Sequence, residues 1–408
     1  VSRPVNHFNG WVGFRFASHG HIDEYRHNSV NSTSGLNARL KIDGTLLLGK
    51  DSVMIDWPEQ VILSLELSPE EANHTALFEV QNPAGEVLGR VEATYDTSRI
   101  HGNLALVCHS HTNRKESHGE PVAAFSDFKL TGSGLRGGKD QRWGPILWSQ
   151  YTVDDGILKL TAQFPPLGPE DNRRVILEMD RGSGWEKAGQ ARIDDMARLA
   201  LFRIEDWNDE KPAPYRLVYE LDGKKHFYKG EIRKNPRDKE EISVAAFTGN
   251  KDYGFPNKPI LKNLNKLDPD LLFFSGDQIY ETVAGYGITR SPVDQATLDY
   301  LRKWYLLGWS FGDLLKNRPS VIIPDDHDVY QGNLWGQGGR AIPPGGNFRY
   351  GGFVMAPEWV NMVQRTQTAH LPDPFDPTPV KQDISVYYTD LNWGGVSFAI
   401  LEDRKFKW

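Results

Sequence analysis

Residues 271–281 read LLFFSGDQIYE and residues 321–328 read VIIPDDHD, so each passes from an apolar run into a polar cluster. Residues 242–250, ISVAAFTGN, repeat this pattern once more. Continuous apolar runs of this length are typical of strands that are buried on both faces of a sheet. The three stretches therefore predict three buried strands whose carboxyl ends lead into polar residues.

Two segments between these predicted strands favour helices. Lys258–Leu267 follows the first run, and a stronger helix begins near Ser291-Pro292, because serine caps helices and proline suits their first turn. The predicted apolar stripe of the second helix consists of Leu298, Leu301, Trp304, Tyr305 and Leu306. Strands that alternate with helices are characteristic of an α/β sheet, which we predict for residues 242–408.

The earlier part of the chain has a different pattern. Short runs that alternate apolar and polar residues predict strands, for example residues 36–42, with the turn signal Asp43-Gly44 after them. We predict a multidomain protein with two all-β sandwiches, over residues 1–135 and 145–238, followed by an α/β domain over residues 242–408.

Composition and charge narrow the class of partner. The chain has 408 residues and a net charge of −7, which argues against nucleic acid because binding to a phosphate backbone needs a basic surface. A small phosphate ester that binds through metal ions is still compatible with this negative charge, since the ions supply positive charge. The single cysteine, Cys108, excludes an internal disulfide and a cysteine zinc cluster. No stretch approaches the ~20 apolar residues of a membrane span.

Polar side chains of the metal-ligand type follow all three predicted strands. They are Asn250 after the first strand, Asp277 after the second, and Asp325, Asp326 and His327 after the third. Ligands bind at the carboxyl edge of such sheets, and carboxylate, imidazole and amide groups suit hard and borderline metal ions. Two ions ~3.5–4 Å apart could share a carboxylate, activate water and orient a phosphoryl group.

Each of these residues has a simpler interpretation by itself. An aspartate at the end of a strand commonly forms a turn or caps a helix, and a single histidine is more often a surface residue. Together, Gly-Asp after one strand and Asp-Asp-His-Asp after another favour a metal site, because carboxylates buried side by side repel one another unless a cation joins them. An isolated structural cation site is a further interpretation.

The two polar clusters also resemble the motifs of a known family. Residues 275–281 and 324–329 are similar to the Gly-Asp-x-x-Tyr-Glu and Asp-Asp-His-Glu segments of the PhoD-like (alkaline phosphatase D) metallophosphoesterases. The resemblance runs from about residue 145 to the end, because that family carries a small β-sandwich before its α/β catalytic domain. It implies hydrolysis of phosphate mono- or diesters by a metal-activated water at a binuclear site.

The resemblance assigns roles to individual residues. Asp277 would bridge two metal ions, Tyr280 would bind one of them as a phenolate, and Asp326 would be a ligand, with Asp325 sharing the task. His327 would hydrogen-bond the phosphoryl group or protonate the leaving group. Because only a strong Lewis acid readily deprotonates a phenol with a pKa near ~10, the expected cofactors are Fe³⁺ and Ca²⁺, the pair that the family uses.

The end of the chain offers one more match to that family, and the sequence differs from the family's motifs at three points. Arg404 resembles the arginine of the family's Asp-x-Arg segment, with Glu402 standing where that segment has aspartate. Asn250 stands in place of a cysteine, and Asp328 in place of a glutamate. The family's later Gly-Asp-x-His segment has no counterpart before Trp408, so we expect an incomplete catalytic domain, as an inactive fragment or a degraded enzyme. Family relatives are exported, which implies a periplasmic or extracellular location.

A glycine-rich loop after residue 328 supplies candidates for substrate binding. Asn333 and Trp335 lie in this loop, and its aromatic residues are expected to wall a substrate crevice. His370, at the end of a helical stretch that begins at Glu358, is a further candidate for a substrate contact. The loop lacks the lysine and the strand–loop–helix setting of a nucleotide-binding P-loop, which we therefore reject.

The first sandwich has a resemblance of its own. Residues 125–132, FSDFKLTG, are similar to the closing strand of concanavalin-like or laminin G-like jelly rolls, which implies a glycan as a partner. An alternative function is therefore a noncatalytic carbohydrate- or surface-binding protein with an incomplete phosphatase domain. His109, His111 and His118 could ligate a metal, although a solvated loop explains them more simply.

Overall fold

The computed structural model describes residues 11–17, 36–100, 103–109, 124–135, 144–250, 255–281, 288–402 and 404–408. These residues divide into two compact units, one formed by those up to Leu135 and the other by those from Gly144 onward. Within the described ranges there are six sheets and three α-helices, and none of these helices is long and apolar enough to cross a membrane. The β-rich, multidomain organisation predicted from the sequence is therefore confirmed.

The first unit contains two antiparallel sheets. Its strands are β1 (Trp11–Ala17), β2 (Leu36–Lys41), β3 (Thr45–Leu48), β4 (Asp51–Met54), β5 (Ile62–Glu70), β6 (Asn73–Gln81), β7 (Val87–Asp96) and β8 (Asn103–His109). One sheet has the order β4-β3-β2-β1-β8, and the other has the order β5-β6-β7. The predicted turn at Asp43-Gly44 joins β2 to β3, and in it the Gly44 N–H donates to the Lys41 carbonyl at 3.0 Å.

The two sheets of this unit share one hydrophobic core. Phe14 of β1 and Phe78 of β6 meet edge to face, with their ring centroids 6.2 Å apart. Alternate residues of the inner strands fill the same cluster, among them Leu36, Ala38, Leu40, Leu46, Leu48, Ala76 and Val80. Because successive side chains of a strand point to opposite faces, this alternation leaves one face of each sheet for the core.

One predicted strand of the first unit is wrong. Residues 124–131 form no strand, although residues 125–132 resemble a closing strand in sequence. The side chains of Phe125, Phe128 and Leu130 are 45%, 48% and 48% exposed. No sheet among the described residues covers them, and a strand without a paired neighbour and a buried face has little to stabilise it.

Three histidines of the first unit fall at the limit of what the structure describes. His111 and His118 lie outside the described residues, and of His109 only the backbone is described, as the last residue of β8. The interpretation as part of a solvated loop is therefore wrong for His109, whose backbone belongs to a strand, and stays a prediction for His111 and His118.

The second unit begins with two more antiparallel sheets. Their strands are β9 (Trp148–Asp154), β10 (Ile157–Gln163), β11 (Arg174–Asp180), β12 (Trp185–Arg192), β13 (Leu199–Ile204), β14 (Ala213–Leu221) and β15 (Lys224–Ile232). The strand orders are β13-β10-β9 and β12-β11-β14-β15. Side chains from both sheets fill one cluster, in which Phe164 and Tyr219 meet edge to face at 5.0 Å. These two sheets therefore also pack face to face.

The rest of the second unit contains a parallel sheet, three α-helices and a two-stranded hairpin. The strands β16 (Val244–Phe247), β17 (Leu271–Phe274) and β18 (Ser320–Ile322) lie in this order. Helix α1 (Lys258–Leu267) precedes β17, and α2 (Val293–Leu315) precedes β18. Helix α3 (Pro357–Thr368) and the hairpin of β19 (Tyr388–Trp393) and β20 (Val396–Leu401) follow. The three strands and the two helices between them are placed where the sequence predicted them.

The central strand of the parallel sheet has both faces covered. Leu272 and Phe274 contribute to the core that contains α2, whereas Leu271 and Phe273 pack into the core of the two antiparallel sheets. This explains why β17 is apolar throughout instead of alternating. The prediction of full burial does not extend to β16, which lies at the edge of the sheet, and its Val244 is 41% exposed.

Helix α2 differs in detail from its prediction. Leu301 is fully buried as expected, but Leu298 is 48% exposed. The helix begins one residue later than predicted, because Pro292 occupies the N-cap position. Two charged residues, Asp299 and Lys303, take buried positions on this helix. Apolar periodicity could not reveal them, since a charged residue on the buried face is stabilised by its polar partners, which here include each other and residues from other segments.

Candidate metal centre

The polar ends of the parallel strands meet at one edge of the sheet. The strands are in register, so that Phe247, the last residue of β16, lies beside Phe274, the last residue of β17. At this edge the structure brings Asp277, Asp326 and His327 together, with one ligand atom of each within 4.8 Å of the other two. Two carboxylates and an imidazole at this spacing form a possible metal-binding group.

A glycine allows the loops after β17 and β18 to approach each other. Gly276 has a φ of +111°, a region that glycine adopts without steric cost. A Cβ atom at this position would lie 2.3 Å from the Cβ atom of Asp325, which is far inside van der Waals contact. Gly276 thus sets the short distance between the two loops, and this is the steric reason for the glycine before Asp277.

Asp328 ties the same two loops together. Its Oδ2 accepts the N–H groups of Asp277 and Asp325, both at 2.8 Å, and its Oδ1 accepts the Ile279 N–H at 3.2 Å. Complete burial raises the pKa of this carboxyl to about 7, against the opposing effect of the N–H groups. The sequence shows Asp328 only as a substitution for glutamate, because nothing in the motif reveals that its side chain points inward.

Backbone groups fix the carboxylate of Asp326. This residue precedes the short 3₁₀ turn His327–Val329 and caps it. Its Oδ1 accepts the His327 N–H at 2.8 Å, and its Oδ2 accepts the Asn333 N–H at 2.5 Å. A carboxylate oxygen has two lone pairs, so Oδ1 keeps capacity for a cation while the N–H groups set the direction of the carboxylate.

The ring of His327 is oriented by Glu281, a residue to which the sequence analysis assigned no role. Nδ1 of the histidine lies 2.6 Å from Oε2 of Glu281, and the Tyr280 ring packs against the imidazole with centroids 4.5 Å apart. Burial disfavours the charge of both groups, but their contact outweighs it, so the pKa of His327 is raised and that of Glu281 is lowered. With Nδ1 engaged, Nε2 is left for a ligand or a substrate.

Asp277 is the least compensated carboxylate of the cluster. Its Oδ1 is buried with no hydrogen-bond partner among the described residues. Burial raises the pKa of this carboxyl to about 6; the charge of His327 lowers it, and Asp326 and Asp325 raise it further. The Tyr280 hydroxyl donates to the same carboxyl, and burial together with Asp277 raises the pKa of that phenol. A cation beside Oδ1 would relieve the repulsion, so this donor set fits a metal ion.

Arg404 neutralises part of the acidic charge. Its Nε contacts Oδ1 of Asp325, its Nη2 lies 3.2 Å from Oδ2 of Asp325, and its Nη1 lies 3.3 Å from Oδ2 of Asp326. Glu402, by contrast, pairs with Lys405 at 3.0 Å. The structure therefore brings the predicted Arg404 to the site, and it gives Asp325, a predicted metal ligand, an arginine as its partner.

Asn250, the predicted ligand from the first strand, lies outside the group of three. Its Nδ2 is buried with no hydrogen-bond partner among the residues that the structure describes. The preceding Gly249 borders Tyr280, because a Cβ atom there would lie 3.1 Å from the phenol oxygen. A half-turn of the amide would present its oxygen instead of its nitrogen. The roles of Asn250 and Tyr280 as ligands stay predictions.

Two of the predicted substrate-binding residues lie on the loop after the cluster. Asn333 donates its backbone N–H to Asp326, and the residue is otherwise exposed. Trp335 is 45% exposed, and Nζ of Lys407 lies 5.5 Å from the centroid of its ring. Both side chains are accessible to a ligand, and contact with a substrate stays a prediction for them.

The structure does not bring His370, the third predicted substrate-binding residue, into the cluster. Its side chain is fully buried, and its Nε2 lies 2.9 Å from the carbonyl oxygen of Ser320. Ser320 begins β18, whereas the clustered residues follow the carboxyl ends of the strands. Burial lowers the pKa of His370 to about 3. It is therefore a neutral residue at the amino edge of the sheet, and the sequence could not show which edge it reaches.

Comparisons with known proteins give only weak similarities. No protein-family model matches the chain, and no curated protein matches it. Among solved structures, the chain is similar to the twitchin kinase region from C. elegans, with 14% identity over 22% of this chain and 16% of that chain at a TM-score of 0.17. A cyclomaltodextrinase has 12% identity over 32% of this chain and 31% of that chain, at a TM-score of 0.17.

A third solved structure covers more of the chain. A β-glycosidase from Bacteroides vulgatus has 14% identity over 79% of this chain and 50% of that chain, at a TM-score of 0.18. The chain thus spans half or less of the length of each of these three proteins. Similarities at TM-scores this low carry no argument about fold or function.

Proposed function

We propose that this protein hydrolyses phosphate mono- or diesters with a metal ion held by Asp277, Asp326 and His327. The observation that carries the proposal is the convergence of three ligand atoms within 4.8 Å beside a buried Oδ1 of Asp277 that has no partner among the described residues. Arg404 lies against Asp326, so a place for a cation adjoins a place for a phosphoryl anion. The parallel sheet with its polar carboxyl edge supports an α/β domain of the metallophosphoesterase type over residues 242–408.

The protein groups around the proposed ion are already oriented. When bound, the ion supplies Lewis acidity, which lowers the pKa of water and offsets charge on the phosphoryl group. Backbone N–H groups fix the oxygens of Asp326, and Asp328 fixes the backbone of Asp277. Glu281 on Nδ1 of His327 is the carboxylate–histidine arrangement that directs the other ring nitrogen toward a metal.

His327 has a second role open to it, which is protonation of the leaving group through Nε2. The two roles exclude each other, because a ring nitrogen that binds a metal has no proton to donate. The contact of Nδ1 with Glu281 supports the ligand role. Ion affinity of the H327Q variant decides between them, since loss of a ligand weakens that affinity, whereas loss of a proton donor to the leaving group weakens hydrolysis and leaves ion binding intact.

Arg404 is the residue that we expect to bind the phosphoryl group. A guanidinium binds phosphate oxygens through two parallel N–H bonds, and the Arg404 side chain keeps 25% of its surface exposed. A bound phosphate would compete with Asp325 for this group. A second ion, as in the Fe³⁺ and Ca²⁺ pair of the resembling family, requires Asp325 to leave Arg404 and Tyr280 to leave Asp277. The site with one ion is therefore the simpler proposal.

The test measures ion binding and hydrolysis on the same preparations. Calorimetric titration with Mn²⁺ gives the ion affinity, and 4-nitrophenyl phosphate and bis(4-nitrophenyl) phosphate report monoester and diester hydrolysis. We expect D277N and H327Q to weaken ion binding by about 100-fold and to abolish hydrolysis. D313N is the matched control, because Asp313 is 89% exposed and pairs with Lys316; it should change neither quantity.

Two outcomes would count against the proposal, and a third result would support it. Hydrolysis by D277N at the wild-type rate would contradict it. Ion binding by the wild-type protein without hydrolysis of either ester would reduce the cluster to a structural cation site. R404M should weaken competitive inhibition by inorganic phosphate about 10-fold without weakening ion binding, because it removes the anion site and leaves the three ligands in place.

A further inference from the structure

A second cluster of charged groups is buried in helix α2, next to the candidate metal centre. Asp299 and Lys303 lie one helical turn apart, and their side chains are 4% and 1% exposed. Nζ of Lys303 lies 2.6 Å from Oδ2 of Asp299. Burying a charged pair this deeply is costly, and apolar residues of similar volume often stabilise a fold as well or better. The other contacts of this pair therefore indicate what it does.

The ammonium group of Lys303 joins several segments. Besides Asp299, it donates to the Tyr330 hydroxyl at 2.9 Å and to the carbonyl oxygen of Glu281 at 3.0 Å. The Tyr330 hydroxyl in turn donates to Oδ2 of Asp299 at 2.8 Å. An ammonium has three N–H donors, and these acceptors can use all of them. Lysine, aspartate and tyrosine form a closed triangle from which one N–H reaches the main chain of Glu281.

Two of these acceptors belong to the loops that carry the metal centre. The Glu281 side chain holds Nδ1 of His327 at 2.6 Å. Tyr330 directly follows the 3₁₀ turn His327–Val329, and its N–H donates to the His327 carbonyl at 2.9 Å. Tyr330 has a φ of +60°, which is unfavourable for a bulky residue, so its side-chain contacts help to hold it there. Lys303 therefore reaches both segments that border His327.

We infer that Lys303 is a positioning residue for His327, acting through the main chain of Glu281 and the hydroxyl of Tyr330. The inference rests on the proposed function, since it concerns how the same site keeps its geometry. Lys303 holds the Glu281 carboxylate against Nδ1, and it holds the turn from which the imidazole projects. Nε2 is then the nitrogen presented to the ion. Lys303 itself touches neither ion nor substrate in this arrangement.

Three variants separate this role from simple charge balance. K303M removes the ammonium and leaves Asp299 as an unpaired buried charge. D299N/K303M removes both charges, so it restores the balance of charge but not the bond to the Glu281 carbonyl. Y330F removes one hydroxyl from the triangle and keeps the ion pair. The matched control is K316M, which breaks an ion pair with the exposed Asp313 at the end of the same helix.

The first readout is made on metal-free protein and so does not depend on the proposed function. Long-range ¹H–¹⁵N spectra at alkaline pH report which ring nitrogen of His327 carries the proton, and the signal is assigned by its loss in H327Q. In the wild type and K316M we expect the proton on Nδ1, because Glu281 accepts it. In K303M and D299N/K303M we expect a mixture of both tautomers. A wild-type spectrum of His327 in these two variants would overturn the inference.

The second readout is the affinity for Mn²⁺. We expect K303M and D299N/K303M to weaken it by about 10- to 100-fold, the range for residues that orient a ligand, Y330F to weaken it less, and K316M to leave it unchanged. Recovery of the wild-type tautomer and affinity in D299N/K303M would show that charge balance alone explains Lys303, and the inference would be wrong.

The measurements also separate failure of the proposed function from failure of the inference about Lys303. A wild-type protein that binds no ion, with a tautomer that still shifts in the variants, would refute the proposed function and leave the positioning of His327 by Lys303 intact. Circular dichroism establishes which variants are folded before they are compared. If the unpaired Asp299 prevents K303M from folding, D299N/K303M and Y330F carry the test, because neither leaves a buried charge alone.

Discussion

The two edges of the parallel sheet carry aspartates in opposite electrostatic situations. Asp270 stands immediately before β17, and Asp277 follows three residues after its end. Asp270 is buried and Asp277 is half-buried, yet the pKa of Asp270 is lowered whereas that of Asp277 is raised to about 6. The same residue type next to the same strand therefore serves two purposes, and its partners decide which one.

At the amino edge each acid has its own cations or N–H donors. Lys239 contacts Oδ1 of Asp270, and the Ser243 N–H donates to Oδ2 at 2.9 Å. Oδ1 of Asp268 accepts Arg233 at 2.5 Å, and an arginine from the segment before β18 joins it at 2.6 Å. Burial disfavours the ionised form of both acids, but these partners outweigh it and lower the two pKa values. Acids compensated in this way stabilise the fold and need no further cation.

At the carboxyl edge the carboxylates outnumber the cationic side chains that could neutralise them. Asp277, Asp325 and Asp326 share Arg404 and His327, and Oδ1 of Asp277 has no hydrogen-bond partner among the described residues. A cluster of charge that the fold leaves uncompensated is more typical of a binding site than of a structural network. The comparison of the two edges therefore supports a cation site without any argument from family resemblance.

The largest expected difference between the edges concerns an added cation. An ion that binds only the folded state stabilises it by about 2.7 kcal/mol at 100 times its dissociation constant. Mn²⁺ should therefore raise the midpoint of thermal unfolding of the wild type and of D270N, but not of D277N, as measured by differential scanning calorimetry. An equal rise in D277N would show that the ion binds elsewhere on the protein.

In the metal-free protein, D270N and D277N should change the free energy of unfolding in opposite directions. D270N weakens the contacts of a buried acid with Lys239 and Ser243, so it should lower the free energy of unfolding by about 1–2 kcal/mol. D277N removes a charge that burial and neighbouring acids disfavour, so it should raise the free energy of unfolding by about 1 kcal/mol. Urea unfolding in the presence of a chelator measures both. A destabilised D277N would mean that the fold already compensates this charge.

The smallest expected effect is that the contributions of Asp277 and Asp270 to stability depend on pH in different ways. Asp277 has its pKa raised from 3.8 to about 6, so its ionised form lowers stability fully above pH 6 and not at all below 3.8. The free energy of unfolding that D277N gains over the wild type should therefore disappear as the pH falls from about 6 to 3.8. Asp270 has its pKa lowered from 3.8, so its contribution is complete above 3.8 and is lost as the pH falls further. Thermal unfolding of the metal-free proteins from pH 3 to about 7 checks both signs; a D277N gain that persists below 3.8 would contradict them.

Much of the second unit could be predicted because its signals lie within short stretches of sequence. The apolar run Leu271–Phe274 coincides with β17, and Lys258–Leu267 coincides with α1. The polar residues at the strand ends included Asp277, Asp326 and His327, which the structure brings together. Burial of a strand on both faces requires a continuous apolar run of neighbouring residues, and such a run is visible in the sequence alone.

Features that depend on distant contacts could not be predicted. The inward direction of Asp328, the bond of Glu281 to His327 and the buried position of Lys303 each involve a partner from another segment. Residues 125–132 resemble a strand, but a strand also needs a neighbour to pair with, and in the described residues it has none. Local pattern alone does not contain this information.

The sequence by itself determined which residues follow the strands and which chemistry they offer, namely an amide, carboxylates and an imidazole at the ends of three apolar runs. Only the tertiary structure decided how each was compensated. It paired Asp325 with Arg404, placed His370 at the opposite edge and left Oδ1 of Asp277 without a partner among the described residues. Apolar patterning acts along the chain, whereas burial and charge compensation arise between segments that only folding brings together.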